Sequence, residues 1–436
     1  MEKINHIMPY MPIASFIFLR QIPIMQTLDL SDDEIIEKIT KKELQMYKLE
    51  EYLGPNKAVE IRRQIVEKAT NSNLADLSIE DADYSQMVNK NAENVIGFIR
   101  MPIGISGPIT IHGDYASGEF YVPLATTEGA LIAGINRGMK AISESNGSKV
   151  KILGNAMARA PLFEFDSITE VGEFLNWLDL NMDNVKKIAN ATTSHGKLRD
   201  VKPFVTGNNV WLRMSFETGD AMGMNMATVA SEAASSYIEE EFPKAHLVTV
   251  SGNMCSDKKE SMVNNLLGRG KTVVADAVIN RKVCSEVLKT TPEQITRVNM
   301  KKNMLGNARA GSTKFSGHSA NIVAAAFAAT GQDIAQVVES SSCYTWAEAR
   351  ESGLYISVTL PSLEVGTVGG GTSLPSQKAA LSIIGAAGQG ETIGTNANKL
   401  AEIIAAAVLA GELNLLAAQG NRELGKAHSK LGRNIK

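Results

Sequence analysis

The sequence predicts an α+β protein, and three observations carry that prediction. Residues 319–340 and 396–418 are apolar nearly all round, which suits helices enclosed by a core. Between about 160 and 250, short β-branched and aromatic runs alternate with helical patterns, the signature of a mixed α/β unit. From about 28 to 95 the periodicity is helical throughout. The size agrees: 436 residues, at roughly 150 per domain, make two or three domains. With 44% hydrophobic and 21% charged residues, the chain reads as a folded globular protein.

Residues 1–27 read as a poorly ordered extension. Pro9, Pro12, Pro23 and Arg20 interrupt its apolar stretch, and the clean run over 13–19 is too short to span a bilayer. A true start at Met25 and a membrane-surface anchor stay open as alternatives. Order begins near Ser31, which stands at capping-box spacing from Glu34, with Ile35, Ile36 and Ile39 forming a stripe behind it. Residues 44–70 also read helical, with a break at Gly54 and Pro55. Glycines and prolines over 96–118 indicate short strands and turns, and 128–145 returns to helix. Residues 163–165, 211–216 and 246–250 are strand-like, while 168–178 and 224–241 are helical. From Asp257 the chain is rich in Ala, Gly and Ser and reads mainly as helix. A strand over 355–360 and a Gly-rich turn over 364–372 interrupt it.

Composition excludes several function classes. Lys and Arg number 44 against 47 Asp and Glu, a net charge of −3, so nothing points to nucleic acid and any anionic ligand needs a local cluster. Cys255, Cys284 and Cys343 are few, odd in number and not paired as CxxC, which argues for a reducing cytoplasm. The six histidines form no zinc pattern, and no metal is expected. A Rossmann fingerprint fails because Gly394 follows Gly388 and Gly390 one residue too late. A P-loop before Gly270, Lys271 and Thr272 fails because Asn265 stands where its first glycine belongs.

Five local patterns remain. Gly366 to Thr372 holds four glycines in seven residues, fit for close backbone approach to an anion or simply for a tight turn. Asp220 to Asn225 follows a strand and opens a helix, placing Asp220 as its cap. Ser251 to Lys259 is a polar loop after a strand, where a lysine can polarise a carbonyl. Glu128 sits at the start of an apolar helix. Asp333 falls inside the apolar stretch 319–340, where a carboxylate requires a partner. On spacing alone His428 reads as a surface residue.

Together these patterns resemble the 3-hydroxy-3-methylglutaryl-CoA reductase family. The matching stretches are Glu93-Asn-Val-Ile-Gly97, Ala125-Thr-Thr-Glu-Gly129, Asp220-Ala-Met-Gly-Met-Asn225, Ser251-Gly-Asn253 with Asp257-Lys-Lys259, Gly331-Gln-Asp333 and Gly366 to Thr372. Six stretches in family order, spanning about 31 to 428, are specific where each alone is modest. The Asp-Lys-Lys form and the helical N-segment resemble the biosynthetic class, and the absence of a membrane domain resembles the soluble archaeal type.

The resemblance implies a helical N-terminal domain (28–96) and a large substrate domain around a long buried helix (97–159 with 262–436). It also implies an inserted ferredoxin-like cofactor domain (160–250) and a catalytic connecting loop (251–261). It implies reduction of the thioester to mevalonate and free CoA with two NADPH, in a cytoplasmic homodimer or tetramer of dimers with sites between subunits. Lys258 is matched to the cation that meets the substrate oxyanion, Glu128 to the proton donor, Asp333 to the group that tunes both, and His428 to the acid that protonates CoA thiolate. Arg159, Ser251, Asp257, Lys259, Lys302, His318 and Asn321 are matched to the hydroxymethylglutaryl pocket. Tyr47, Asn136, Arg137, Lys140 and Lys289 are matched to CoA contacts. Asp220, Met222, Gly223, Met224, Asn225, Gly370 and Gly371 are matched to the dinucleotide site. Ser194 and His195 stand where animal enzymes carry a Ser-Arg grip on the 2′-phosphate, with Lys197 or Arg199 as substitutes. An NADH-dependent mevalonate oxidiser and a catalytically silent CoA-binding protein are the alternatives.

Overall fold

The structure is a computed structural model that describes residues 30–421 apart from 80, 81 and 89. The extension over 1–27 and His428 lie outside the described residues. The chain divides after Arg100 into two compact units.

In the first unit Ser31 opens α1 (Asp32–Thr40) through a capping box: its hydroxyl accepts from Glu34 N–H, and the Glu34 carboxylate accepts from Ser31 N–H. Ile35, Ile36 and Ile39 pack on Leu49, Ala58 and Ile61 of α2 (Leu49–Leu53) and α3 (Pro55–Thr70). Pro55 takes the first helical position, where its missing N–H costs nothing. Arg62 is fully buried and held by the Glu50 carboxylate and the Met46 carbonyl.

The second unit begins with a hairpin, β1 (Ile103–His112) and β2 (Ser117–Ala125), followed by α4 (Leu131–Ser143) and β3 (Ser148–Arg159). Next come β4 (Leu162–Glu164), α5 (Ile168–Ala191), β5 (Lys197–Thr206), β6 (Asn209–Glu217), α6 (Met224–Glu241) and β7 (His246–Thr249). The chain continues through α7 (Met262–Leu267), β8 (Gly270–Asn280), α8 (Arg281–Glu286), α9 (Pro292–Val298), a π-helical stretch (Asn299–Gly306) and α10 (Asn307–Ala310). It closes with α11 (Ser319–Thr330), α12 (Val337–Ser340), β9 (Tyr344–Arg350), β10 (Gly353–Leu363), α13 (Pro375–Ile383) and α14 (Thr395–Gly420).

β3 joins two sheet regions. Residues 149–156 pair antiparallel with β8, which continues to β10 and β9, while residues 157–159 pair with β6. Beyond β3 the strand order β7-β4-β6-β5 has every neighbour antiparallel, the order of a βαββαβ ferredoxin-like unit. That unit has its own core, built on Phe163, Phe165, Phe174, Leu212 and Phe216. The larger core surrounds α14, which buries Ile403, Ile404, Val408 and Leu409. α14 is long and apolar enough to cross a bilayer, but 89% of its apolar window is enclosed by the unit, so it is a core helix. It lies close to α4: a Cβ on Gly138 would stand 2.0 Å from the Ala410 carbonyl oxygen.

Four expectations need correction. The helix expected from Glu128 starts at Leu131, because Ala130 adopts a left-handed φ of 70° and leaves Glu128 in the preceding turn. The helix expected over 319–340 stops at Thr330, where left-handed Gly331 ends it; Asp333 follows as the exposed cap of a 3-10 turn. The helical reading after Asp257 overlooked β8. Its Val273, Ala275, Ala277 and Ile279 are buried alternately, and strand neighbours on both sides override the helix preference of alanine. Asp220 does not cap α6, whose cap is Gly223. It caps α14 instead, accepting from Gly390, Gly394 and Ala397 N–H.

Candidate active site

The polar loop after β7 is built of strained backbone held from outside. Asn253, Ser256 and Lys258 all have positive φ, at 66°, 48° and 60°. Such conformations cost non-glycine residues about 1–2 kcal/mol each and persist only where their surroundings impose them. Trp211 Nε1 donates to the Gly252 carbonyl and buried Arg213 donates to the Met254 carbonyl, both at 2.7 Å. Asn264 Nδ2 donates to the Ser256 carbonyl. Cys255 is buried against Ala158 and Ala160, where it is packing rather than a nucleophile.

Two arginines flank Asp257, and β-pairing explains why. Arg159 ends β3 and Arg269 precedes β8, and Ala156 lies opposite Gly270 in that ladder. Arg159 donates to Ser251 Oγ at 3.0 Å, to Thr228 Oγ1 at 2.7 Å and to Asp257 Oδ2 at 3.4 Å. Arg269 donates to Asp257 Oδ1 at 3.1 Å, and Gln336 Nε2 donates to the same oxygen at 3.0 Å. Burial opposes ionisation of Asp257, but Gln336 and the arginines outweigh it and hold the carboxyl below its ordinary range. Lys258 and Lys259 are exposed beside this pair; Lys259 Nζ donates to the Asp257 carbonyl.

Arg269 is fully buried and also donates to Glu339 and Glu364, each at 2.6 Å. Glu339 in turn accepts the Lys258 backbone N–H at 2.8 Å. Burial pushes the Glu339 and Glu364 carboxyls upward, Glu364 well above its usual range. Sequence reasoning missed Arg269, Glu339, Glu364, Gln336 and Thr228. The available signal was a lone charge in an apolar setting, as in Leu266-Leu-Gly-Arg269.

Three patterns that are distant in sequence converge here. The Asp220 carbonyl accepts from Thr367 N–H at 2.7 Å, and Ala221 bridges to Val368. Gln332 Oε1 accepts from Gly366 N–H at 2.9 Å. A Cβ on Gly331 would stand 2.3 Å from the Gly371 carbonyl oxygen, so both must stay bare. The segment carrying Asp333 therefore lies along the Gly-rich strip on one side and, through Gln336 and Glu339, along the Lys258 loop on the other. Met224 Sδ lies against Arg269, which brings the 220–225 segment to the same place. Asp333 itself accepts only from Ala335 N–H and forms no ion pair, so the lysine or histidine partner expected for it is absent among the described residues.

Lys302 and His318 form a second group. Glu412 of α14 accepts from Gly317 and His318 N–H, both at 2.7 Å, and His318 Nε2 meets the Gly411 carbonyl at 2.9 Å. Lys302 Nζ lies beside Gly317, and burial, partly offset by Glu412, lowers its pKa. Asn321 is in the first turn of α11, three residues after His318.

A cleft of about 580 Å³ is lined by Asn155, Ser194, His195, Gly196, Lys197, Glu217, Gly219 and Gly394, among others. Ser194 Oγ and His195 Nδ1 are 2.7 Å apart. Arg199 is tied to Glu217, whereas no ion pair holds Lys197 among the described residues. Because both Asp220 oxygens are occupied by backbone N–H groups near Gly394, its carboxylate shapes this cleft's wall.

The remaining expected residues stand apart. Glu128 is exposed, its N–H bonded to Thr126, with no hydrogen bond or ion pair joining it to the Lys258 loop. Asn136 accepts from Gly107 N–H, Arg137 donates to Asn414, and Lys140 pairs with Glu144 on the surface. Lys289 is exposed with φ 58°. Tyr47, in the first unit, is 60% exposed.

Known proteins share this chain's sequence and fold. The family model described as "Hydroxymethylglutaryl-coenzyme A reductase" matches residues 58–433. The 3-hydroxy-3-methylglutaryl-coenzyme A reductase of Aeropyrum pernix is 51% identical over 92% of this chain and 96% of its own. That of Pyrococcus horikoshii is 51% identical over 93% and 99%, and that of Halobacterium salinarum 47% over 93% and 99%. A class II reductase structure from Streptococcus pneumoniae, described as bound to NADPH, superposes with a TM-score of 0.62 at 18% identity, over 89% of this chain and 97% of that one. The α+β fold is therefore that of a solved reductase, and the chain belongs to the hydroxymethylglutaryl-coenzyme A reductase family of oxidoreductases.

Proposed function

We propose that this protein reduces 3-hydroxy-3-methylglutaryl-CoA to mevalonate and CoA using two NADPH, with Lys258 as the cation of the reacting centre. The carrying observation is the convergence of Arg159, Ser251, Asp257 and Lys258 with the Gly331–Asp333 turn and the Gly-rich strip. Bound NADPH supplies a hydride at each of two stages. The chemistry of the cleft supports this: Ser194, His195 and Lys197, which has no ion-pair partner among the described residues, suit a 2′-phosphate better than Arg199, which Glu217 neutralises.

The chain's own groups then have separable tasks. Arg159, held by Thr228 and Ser251, presents its guanidinium beside Asp257, where the substrate's terminal carboxylate is read with help from Lys259, while Lys302 is assigned to the same pocket from its own group with His318. Lys258 meets the negative charge that develops on the thioester oxygen and, after thiolate loss, on the aldehyde oxygen. Glu128 delivers the proton to the final alkoxide. His428 protonates the departing CoA thiolate, so that each released group leaves neutral. Asp333, on the turn beside the Lys258 loop, adjusts the charge balance there.

Asn136, Arg137, Lys140 and Lys289 of the second unit are assigned to CoA, and Tyr47 of the first unit is assigned a CoA contact of its own. The exposed apolar side chains of Ile103, Ile105, Tyr121 and Leu153 support a self-associating dimer, or a tetramer of dimers. All three cysteines are free and buried, which supports a cytoplasmic setting. The test is Lys258→Ala. Turnover should fall by about 10²–10³-fold or more while CoA binding survives; unchanged turnover would remove Lys258 from the mechanism.

A further inference from the structure

We propose that Glu339 is a positioning residue for Lys258, its carboxylate fixing the lysine's left-handed backbone and tying that backbone to buried Arg269. This rests on the reading of Lys258 given above.

Lys258 is the last of three positive-φ non-glycine residues within six positions. Side chains of Arg213, Trp211 and Asn264 fasten the loop as far as Ser256. From there to Lys258 N–H the fastening changes element: that N–H donates to Glu339 Oε1 at 2.8 Å, from α12. Glu339 is 1% exposed, and the same oxygen receives Arg269 Nη1 at 2.6 Å. Arg269 also holds Asp257, so one carboxylate sets the geometry of two neighbouring residues of the loop. A left-handed lysine turns its side chain away from the direction its neighbours take, so release of that N–H lets the backbone relax and moves Nζ.

The second buried acid explains why the arrangement tolerates a test. Glu339 Oε2 and Glu364 Oε2 are both buried and have no hydrogen-bond partner among the described residues, and burial pushes both carboxyls upward. Burial favours a proton on Glu364, beside the Arg269 that both acids share. When Glu339 is replaced by a neutral group, Glu364 can give up that proton, and Arg269 keeps two compensating carboxylates, Glu364 and Asp257.

The experiment compares kcat and KM of the full-length protein with those of Glu339→Gln and Glu339→Met, using hydroxymethylglutaryl-CoA and NADPH. The glutamine oxygen still accepts from Lys258 N–H; methionine fills the volume without an acceptor. The methionine variant should lose about 30- to 100-fold in kcat with KM changed less than about twofold, the scale of a misplaced catalytic group. The glutamine variant should stay within about threefold of the parent. If methionine prevents folding, Glu339→Ala reads the same loss. A methionine or alanine variant with undiminished kcat would overturn the proposal. So would equal losses in both variants, or a loss expressed in KM, since these indicate a charge or general structural role. Lys258→Ala separates the two levels of inference. If it is inactive while Glu339→Met is fully active, only the positioning role fails; if it is active, the reading of Lys258 fails first.

Discussion

Asp220→Ala should destabilise the second unit through α14, a helix far along the chain from the mutated residue. Asp220 is 4% exposed and accepts three backbone N–H groups, from Gly390 at 3.1 Å, Gly394 at 3.0 Å and Ala397 at 3.0 Å. Gly394 is the N-cap residue of α14 and Ala397 lies in its first turn, and both are buried; Gly390 is partly exposed and can turn to water. Stranding a buried donor that had a charged acceptor costs about 1.5–3 kcal/mol, and loss of a cap alone about 1 kcal/mol. Two stranded donors and one weakened donor therefore give about 4 kcal/mol. Asp220→Asn keeps one acceptor for Ala397 but turns its amide toward Gly390 and Gly394, giving about half that loss. The assay is urea unfolding followed by circular dichroism at one fixed protein concentration, since association shifts the midpoint. A loss below about 1 kcal/mol in the alanine variant would refute the capping account.

Two further outcomes are expected. His428→Gln should slow conversion of hydroxymethylglutaryl-CoA by about 10²-fold or more but reduce added mevaldehyde turnover far less, because only the first reaction expels a thiolate; equal losses would contradict that role. Lys271 is 2% exposed with Asn155 as its hydrogen-bond partner at 3.3 Å, and burial lowers its pKa from 10.5 to about 8. The unfolded chain therefore binds the extra proton between about pH 8 and pH 10.5, and stability attributable to Lys271 rises with pH across that window. The full rise is on the order of 3 kcal/mol. Unfolding of Lys271→Met, measured from pH 7.5 upward beside the parent, should lack this rise; parallel curves would show that Lys271 titrates as an ordinary lysine.

Much of the fold is legible where one physical signal acts locally. Ser31 and Glu34 fix α1 by capping, Gly54 and Pro55 separate two helices, and the boundaries of α6 follow from periodicity alone. β8 is not legible in this way, because its run of valines and alanines becomes a strand only between β3 and β10. Asp220 shows the same limit at a single residue. Its position before a helix suggests a local cap, yet the helix it caps begins near residue 395. The polar loop at 251–259, the Gly331–Asp333 turn and the Gly-rich strip are visible as compositions, but that they meet is a tertiary fact. The buried acids Glu339 and Glu364 are hardest to find in sequence, since what distinguishes them is the shared Arg269 rather than any spacing.

The proposed reduction runs in two hydride stages at one site. The most direct measurement counts NADPH oxidised against CoA released when purified protein meets hydroxymethylglutaryl-CoA, with NADH in parallel. Two NADPH consumed per CoA are expected, with NADH much poorer if Lys197 takes the proposed 2′-phosphate contact. A ratio of one, or no oxidation of either cofactor by folded protein, would contradict the proposed reduction.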